Sequence, residues 1–357
     1  MTERPELGMS PIIHSELLRR LPKAELHCHL DGSVRPETLI ELGHEYKQTM
    51  PRHDAESLGH FMRVDDARNL EDYLARFDVT LSVMQTAEAL ERIAYELSID
   101  AAADGVRYIE VRYSPVLNIR RGLSLGEAVE APLRGLERGL GDGGAVARVL
   151  VCGLRHMTPE VSMELAHLAV SYKHRGVVGF DLAGGEFGNP AGLHSAAFAY
   201  AREHDLACTC HAGEGADASS VRDAVHLCGA NRIGHATRLF EDESLTQYVN
   251  DRRIALEICL TSNVQTHAVA SYEEHPLRRY FDRGMNVVLN TDNRLMSGTT
   301  LTDEYMHAAK TLDFTFDELC AIALNGFESA FLPWEEREVL LASARAEIAS
   351  LRDGAAA

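Results

Sequence analysis

Four short stretches carry residue types able to hold a metal ion and move protons. They are His27-Cys28-His29, His211-Ala212-Gly213-Glu214, Ile233-Gly234-His235 and Leu289-Asn290-Thr291-Asp292-Asn293. In an extended strand residues i and i+2 share a face, so His27 and His29 point together while Cys28 points away. Two co-facing imidazoles make half a metal site. The same alternation puts Thr209 and His211 on one face and Cys208 and Cys210 on the other, which reads as packing rather than a zinc clamp. Singly, each histidine is equally well an ordinary hydrogen-bonded side chain. Jointly, His27, His29, His211 and Asp292 suit a single zinc ion with water completing its shell, and iron or cobalt would suit the same donors. Such a metal lowers the pKa of water toward ~7, so hydroxide becomes available at neutral pH. Glu214, in its Gly-bounded turn, would lie close enough to address a substrate near that metal.

For these side chains to meet, the strands that carry them must end at one rim. Eight strand-like runs alternate with helical stretches: 24–30, 108–113, 147–154, 177–182, 207–211, 232–235, 255–260 and 286–290. Eight strand–helix units are the count of a TIM (β/α)8 barrel, whose catalytic groups project from the C-terminal strand ends. Helical periodicity is clear at Leu90, Ile93, Ala94, Leu97 and Ala101. Residues 35–104 exceed what one crossover helix needs and read as several helices, some forming a lid. Residues 334–351 read as a last surface helix, with Trp334 packing it onto the barrel. We therefore expect an α/β fold, one barrel domain over residues 1–352 with extra helices after strand one and at the C-terminus, and a flexible tail over 353–357. The fourth run, GFDLAGGE, holds no lysine that could bridge two metals, which favours one. His156, at the end of the third run, reads as an ordinary histidine outside the candidate set, a supporting place near the site being the alternative, and His267 and His275 as exposed histidines.

Composition narrows the classes of function. The chain has 357 residues, 45% hydrophobic and 25% charged, with 35 Lys+Arg against 54 Asp+Glu and a formal charge of −19. Nucleic-acid binding needs a basic face, so this acidity argues against it while leaving a small nucleic-acid-derived ligand open. Seven scattered cysteines, no basic-then-apolar leader and no apolar run of ~18 residues lead us to expect a reduced, cytoplasmic protein without a membrane span.

An ordered set of motifs then resembles the adenosine deaminase family: LPKAELHCHLDGS at 21–33, DLAGGE at 181–186, HAGE at 211–214, GHAT at 234–237, CLTSNVQT at 259–266 and LNTDN at 289–293. The resemblance covers the chain from Leu17 to about Trp334. It implies a barrel with one zinc per chain that hydrolyses the 6-amino group of adenosine and 2′-deoxyadenosine, giving inosine or deoxyinosine and ammonia. Carried over, it makes His27, His29, His211 and Asp292 the zinc ligands and Glu214 the acid that protonates purine N1. His235 would orient the attacking hydroxide and Asp292 would help accept its proton. Gly184 would donate its backbone N–H to N3, and Asp31 would meet a ribose hydroxyl.

Two positions depart from the family's pattern. Asn293 replaces a second Asp and can still donate to purine N7 through its amide, and Gly185 stands where the family commonly has Asp. The resemblance places Glu after the HxHL motif in adenine deaminases and Asn in N6-methyl-AMP deaminases. Asp31 suits a ribose hydroxyl and opposes a 5′-phosphate, which favours a nucleoside. The rivals are deamination of another 6-aminopurine such as 6-aminodeoxyfutalosine, a generic amidohydrolase, and an inactive nucleoside-binding barrel. A cytidine-type zinc deaminase is excluded because the chain has no C-x-x-C.

Overall fold

The computed structural model describes residues 12–65 and 76–355. Eight parallel strands follow one another in sequence order: β1 (Lys23–His29), β2 (Val106–Tyr113), β3 (Val146–Leu154), β4 (Val177–Ala183), β5 (Ala207–Ala212), β6 (Arg232–His235), β7 (Ala255–Ile258) and β8 (Val287–Leu289). The ring closes beyond β8, where Cys28 bridges Asp292 in parallel and the His29 and Asp292 amides donate to Asp292 O and His27 O at 2.7 and 2.9 Å. Thus the segment carrying Asp292 is stitched directly onto the His27–His29 segment.

Strand faces divide the chemistry. In β2, Ile109, Val111 and Tyr113 join the main apolar core, while the alternating Glu110 and Arg112 are fully buried charges. Those charges are paired: Arg232 bonds Glu110, and its Nε lies 2.6 Å from Glu257. Arg112 bonds Asp181 and Glu257, each at 2.9 Å. A buried charge is tolerable only with such partners, so the network demands one register of β2, β4, β6 and β7. A second apolar cluster, with Ala24, Tyr108, Ala255 and Val288 against Phe327, Leu332 and Leu341, packs the chain's C-terminal segment onto the strands.

Between β1 and β2 lie helices Pro36–Glu45, Ala55–Met62, Phe77–Val83 and Ala87–Ala103, as the length of that segment requires. The Ala87–Ala103 helix starts at Thr86, whose hydroxyl accepts from Ala89 N, and buries Leu90, Ile93, Ala94 and Leu97. Residues 66–75 of the segment lie outside the described residues.

Three expectations need correction. Strand β7 stops at Ile258, and Leu260 opens a helix, Leu260–Gln265, that turns back across the barrel end. The final helix runs Trp334–Ala355, so residues 353–355 are helical rather than tail; 356 and 357 lie outside the described residues. Trp334 is 66% exposed, and the last helix is instead held by Leu341, Ala344, Ile348 and an Arg107–Glu347 ion pair at 2.8 Å. Among the described residues no helix is long and apolar enough to cross a membrane.

Candidate active site

The C-terminal strand ends converge. Ligand-capable atoms of His27, His211, His235 and Asp292 all lie within 4.8 Å of one another. His29 joins them, its Nε2 3.1 Å from His211 Nε2 and 3.4 Å from Asp292 Oδ1. His27 Nε2 also lies 3.4 Å from Asp292 Oδ1. All five side chains come from β1, β5, β6 and the segment after β8, the positions a barrel presents to substrate.

The far nitrogens of two histidines are anchored by carboxylates. His27 Nδ1 is 2.8 Å from Glu257, and His211 Nδ1 is 3.2 Å from Asp181. Arg112 bonds both of those carboxylates and so holds them in place. Burial alone would raise their pKa values. Arg112 and Arg232 hold Glu257, and His211 and Arg112 hold Asp181, well below the usual carboxylate range. A carboxylate accepting at Nδ1 leaves the Nε2 lone pair pointing inward, the usual posture of a metal-binding histidine.

These residues fit a divalent metal. His27 Nε2 is buried and has no hydrogen-bond partner. Burial lowers the pKa of His29, His211 and His235, leaving neutral imidazoles. His27 moves the other way: burial and Arg112 push it down, and the carboxylates of Asp292 and Glu257 outweigh them. The spot beside Asp292 thus favours positive charge. Three imidazole nitrogens and a carboxylate are a zinc-type donor set. Asp292 is itself held by Ser262, whose hydroxyl donates to Oδ2 at 2.6 Å.

A cavity of about 270 Å³ adjoins these groups. It is lined by His29, Asp31, Gly184, His211, Glu214, His235, Asp292 and Asn293, so of the candidate residues only His27 lies behind the wall. Phe77 and Leu81 of the Phe77–Val83 helix line it too, which puts part of the β1–β2 insertion in the position expected of a lid. His156 is another lining residue. Small-molecule sites begin near ~300 Å³, so the space suits a compact ligand. Two more buried acceptors lack partners, Asp31 Oδ1 and Asn293 Oδ1. Burial pushes the Asp31 carboxyl up to about 7. Gly184 holds φ +98°, a left-handed angle that glycine adopts at little cost.

Glu214 is placed by side chains that sequence reasoning did not single out. Its Oε1 accepts from Thr266 at 3.1 Å, and its Oε2 is 3.5 Å from His235 Nε2. Its loop is clamped by Glu186, which accepts from the Glu214 and Ala216 amides at 3.1 and 2.7 Å and from Ser220 at 3.1 Å. Arg155, fully buried, bonds His211 O and lies 3.7 Å from Glu186. Asp181, Arg112 and Glu257 were legible only as charged residues inside otherwise apolar strands. His275 corrects an expectation: far from exposed, it is 3% accessible and its Nε2 sits 3.2 Å from Asn263 Oδ1. Asn263 Nδ2 is in turn 2.9 Å from His235 Nδ1. His267 is exposed, as expected.

A sequence model of the family described as adenosine deaminase matches residues 22–346. The chain belongs to the adenosine deaminase family. Membership agrees with known relatives. An adenosine deaminase of Enterococcus faecalis is 40% identical over 323 residues, covering 90% of this chain and 96% of that protein. A Dictyostelium discoideum protein named as a probable adenosine deaminase is 42% identical over 318 residues, 89% of this chain, which spans 41% of that longer protein. Among solved structures, an amidohydrolase from Burkhoderia ambifaria with bound zinc superposes with a TM-score of 0.86 at 25% identity, covering 98% of this chain and 97% of the other. The family's barrel is therefore the frame on which the cluster around Asp292 is built.

Proposed function

We propose that this protein hydrolyses the 6-amino group of adenosine and 2′-deoxyadenosine, releasing ammonia, with one zinc ion per chain held by His27, His29, His211 and Asp292. The observation that carries this reading is the cavity. The carboxyl group of Glu214 and three of the four proposed donors, His29, His211 and Asp292, line one small space, with His27 just behind them. The same wall includes Asp31 and Asn293, each carrying a buried acceptor without a partner. When bound, zinc would supply the Lewis acidity that makes water nucleophilic near neutral pH.

The remaining work falls to the chain's own groups. Purine C6 is a weak electrophile, and a proton placed on N1 by Glu214 makes it a stronger one. Thr266 and the Glu186-clamped loop hold Glu214 for that transfer. His235 orients the attacking water, and Asp292, positioned by Ser262, accepts its proton. The Gly184 N–H meets N3, the Asn293 amide meets N7, and Asp31 meets a ribose hydroxyl. A 5′-phosphorylated substrate is a second reading with one observation behind it: Arg120 also lines the cavity. The deciding experiment measures ammonia release from adenosine, 2′-deoxyadenosine, adenine, AMP and 6-aminodeoxyfutalosine by zinc-loaded protein. Fast turnover of both nucleosides with slow adenine and AMP is the expected result. Preference for AMP or the futalosine derivative by orders of magnitude would retain the metal chemistry and replace the substrate. Silence across the panel in protein that holds zinc would mean a binding barrel.

A further inference from the structure

Hydrogen-bond polarity can be followed, atom by atom, from a backbone amide outside the cavity to the ring of His235. The Leu277 N–H donates to His275 Nδ1 at 3.1 Å, so that nitrogen carries the lone pair. His275 is buried and burial lowers its pKa to about 3, so the ring is neutral and its one proton sits on Nε2. That N–H faces Asn263 at 3.2 Å and must meet an acceptor, which fixes the amide with Oδ1 toward His275. A flipped amide would set N–H against N–H. The amide nitrogen Nδ2 therefore faces His235 Nδ1 at 2.9 Å and donates to it. His235 Nδ1 is then an acceptor, and the proton of a neutral His235 ring must sit on Nε2, 3.5 Å from Glu214 Oε2.

We propose that His275 and Asn263 are positioning residues that lock His235 as its Nε2–H tautomer, so that His235 presents a hydrogen-bond donor, not a metal-binding lone pair, to the cavity. The contrast with its neighbours is chemical. His27 and His211 place Nδ1 against carboxylates, which accept a proton's bond and free Nε2 as a ligand. His235 places Nδ1 against an amide N–H, which does the reverse. Four histidines crowd around Asp292, and the relay decides which of them is withheld from the metal. Asn263 can be held to that role because its own backbone is anchored at both ends: its N–H donates to Cys259 O at 2.9 Å, and its carbonyl accepts from Val269 N at 3.1 Å. The tautomer follows from the relay alone; its consequence for metal binding rests on the function proposed above.

Two-bond 1H–15N correlation spectra of histidine-labelled protein read ring tautomers directly, with signals assigned by His235→Gln and His275→Gln. Zinc-free protein should show both His235 and His275 protonated at Nε2. Zinc loading should shift nitrogens of His27, His29 and His211 and leave His235 Nε2 protonated. A protonated Nδ1 on His235, or loss of its Nε2 proton on zinc addition, would overturn the proposal. Asn263→Asp replaces the donor with an acceptor in the same shape. It should move the His235 proton to Nδ1 and lower kcat on the order of 10²-fold or more, the scale of a lost proton-transfer geometry. His275→Gln, which can still donate to Asn263, should keep the tautomer and stay within a few-fold in kcat. His275→Leu, which cannot donate, should lose both. Equal behaviour of the Gln and Leu variants would also overturn it. The spectra report the tautomer whatever the substrate proves to be, so a protein with the expected tautomers and no adenosine turnover would sink the functional reading and not this one.

Discussion

His235 and Asp292, at the ends of β6 and just past β8, share one unusual backbone angle, φ +63° in both. Neither is glycine, and left-handed geometry costs an ordinary residue on the order of 1–3 kcal/mol. Ala236 adds a third such angle at +54°. The cost is borne where the barrel turns two strand ends inward: the Ala236 amide bonds Ala212 O at 3.0 Å, and the Asp292 amide bonds His27 O at 2.9 Å. Backbone pairing across the rim holds both side chains toward the cavity.

Asp292 depends on Ser262 for orientation. Ser262→Ala removes the 2.6 Å hydroxyl bond to Oδ2 and leaves the fold, since the serine is a small buried side chain on a short helix. Zinc affinity should fall about 10–100-fold, the usual effect of losing a ligand's hydrogen-bonded support. Competitive chelator titration checks this. Unchanged affinity would mean that the Ser262 bond does not support a metal ligand.

Glu214 is assigned as an acid rather than a ligand. Glu214→Gln should therefore keep stoichiometric zinc and lose about 10²–10⁴-fold in kcat. Metal analysis alongside ammonia release separates the possibilities, because loss of zinc in this variant would make Glu214 a ligand.

The Asn293 amide is boxed in by Gly32: a Cβ built there would sit 1.7 Å from Asn293 Oδ1. Gly32→Ala must swing that amide away from its place in the cavity wall. The wild-type protein should bind an adenosine analogue with carbon at position 7 about 10-fold worse than adenosine, one neutral hydrogen bond's worth. Gly32→Ala should bind the two alike. Equal binding by the wild type would take Asn293 off N7.

Glu304 offers a pH test away from the candidate metal ligands. It is fully buried, accepts from Thr261 N at 3.2 Å and Thr299 Oγ1 at 2.9 Å, and burial raises its pKa from 4.5 to about 7. A carboxyl raised in the folded state binds more protons folded than unfolded. Its protonation thus favours folding fully below pH ~4.5, and that advantage is lost as pH climbs through 7. Glu304→Gln, neutral at every pH, should match the wild type in unfolding free energy near pH 4.5 and exceed it at pH 8, by an amount on the order of 3 kcal/mol at most, read by denaturant unfolding at each pH. A constant difference between the two across that range would place the Glu304 pKa at its ordinary value.

Much of this was legible in the residues taken in order. Alternation within 24–30 put His27 and His29 on one face, and the count of strand-like runs announced the barrel, because side-chain period and strand length are local properties. The rim residues His211, Glu214, His235 and Asp292 were legible for the same reason, as polar groups at strand ends. Tertiary structure alone decided what each imidazole can do. Glu257 lies 230 residues from His27 and Asp181 lies 30 from His211, yet these contacts set which nitrogen faces inward. His275 looked like an exposed histidine because nothing in its neighbourhood of sequence records burial, and folding buries it against Asn263. A hydrogen bond's polarity belongs to a pair of atoms, so it exists only once the chain has brought the pair together.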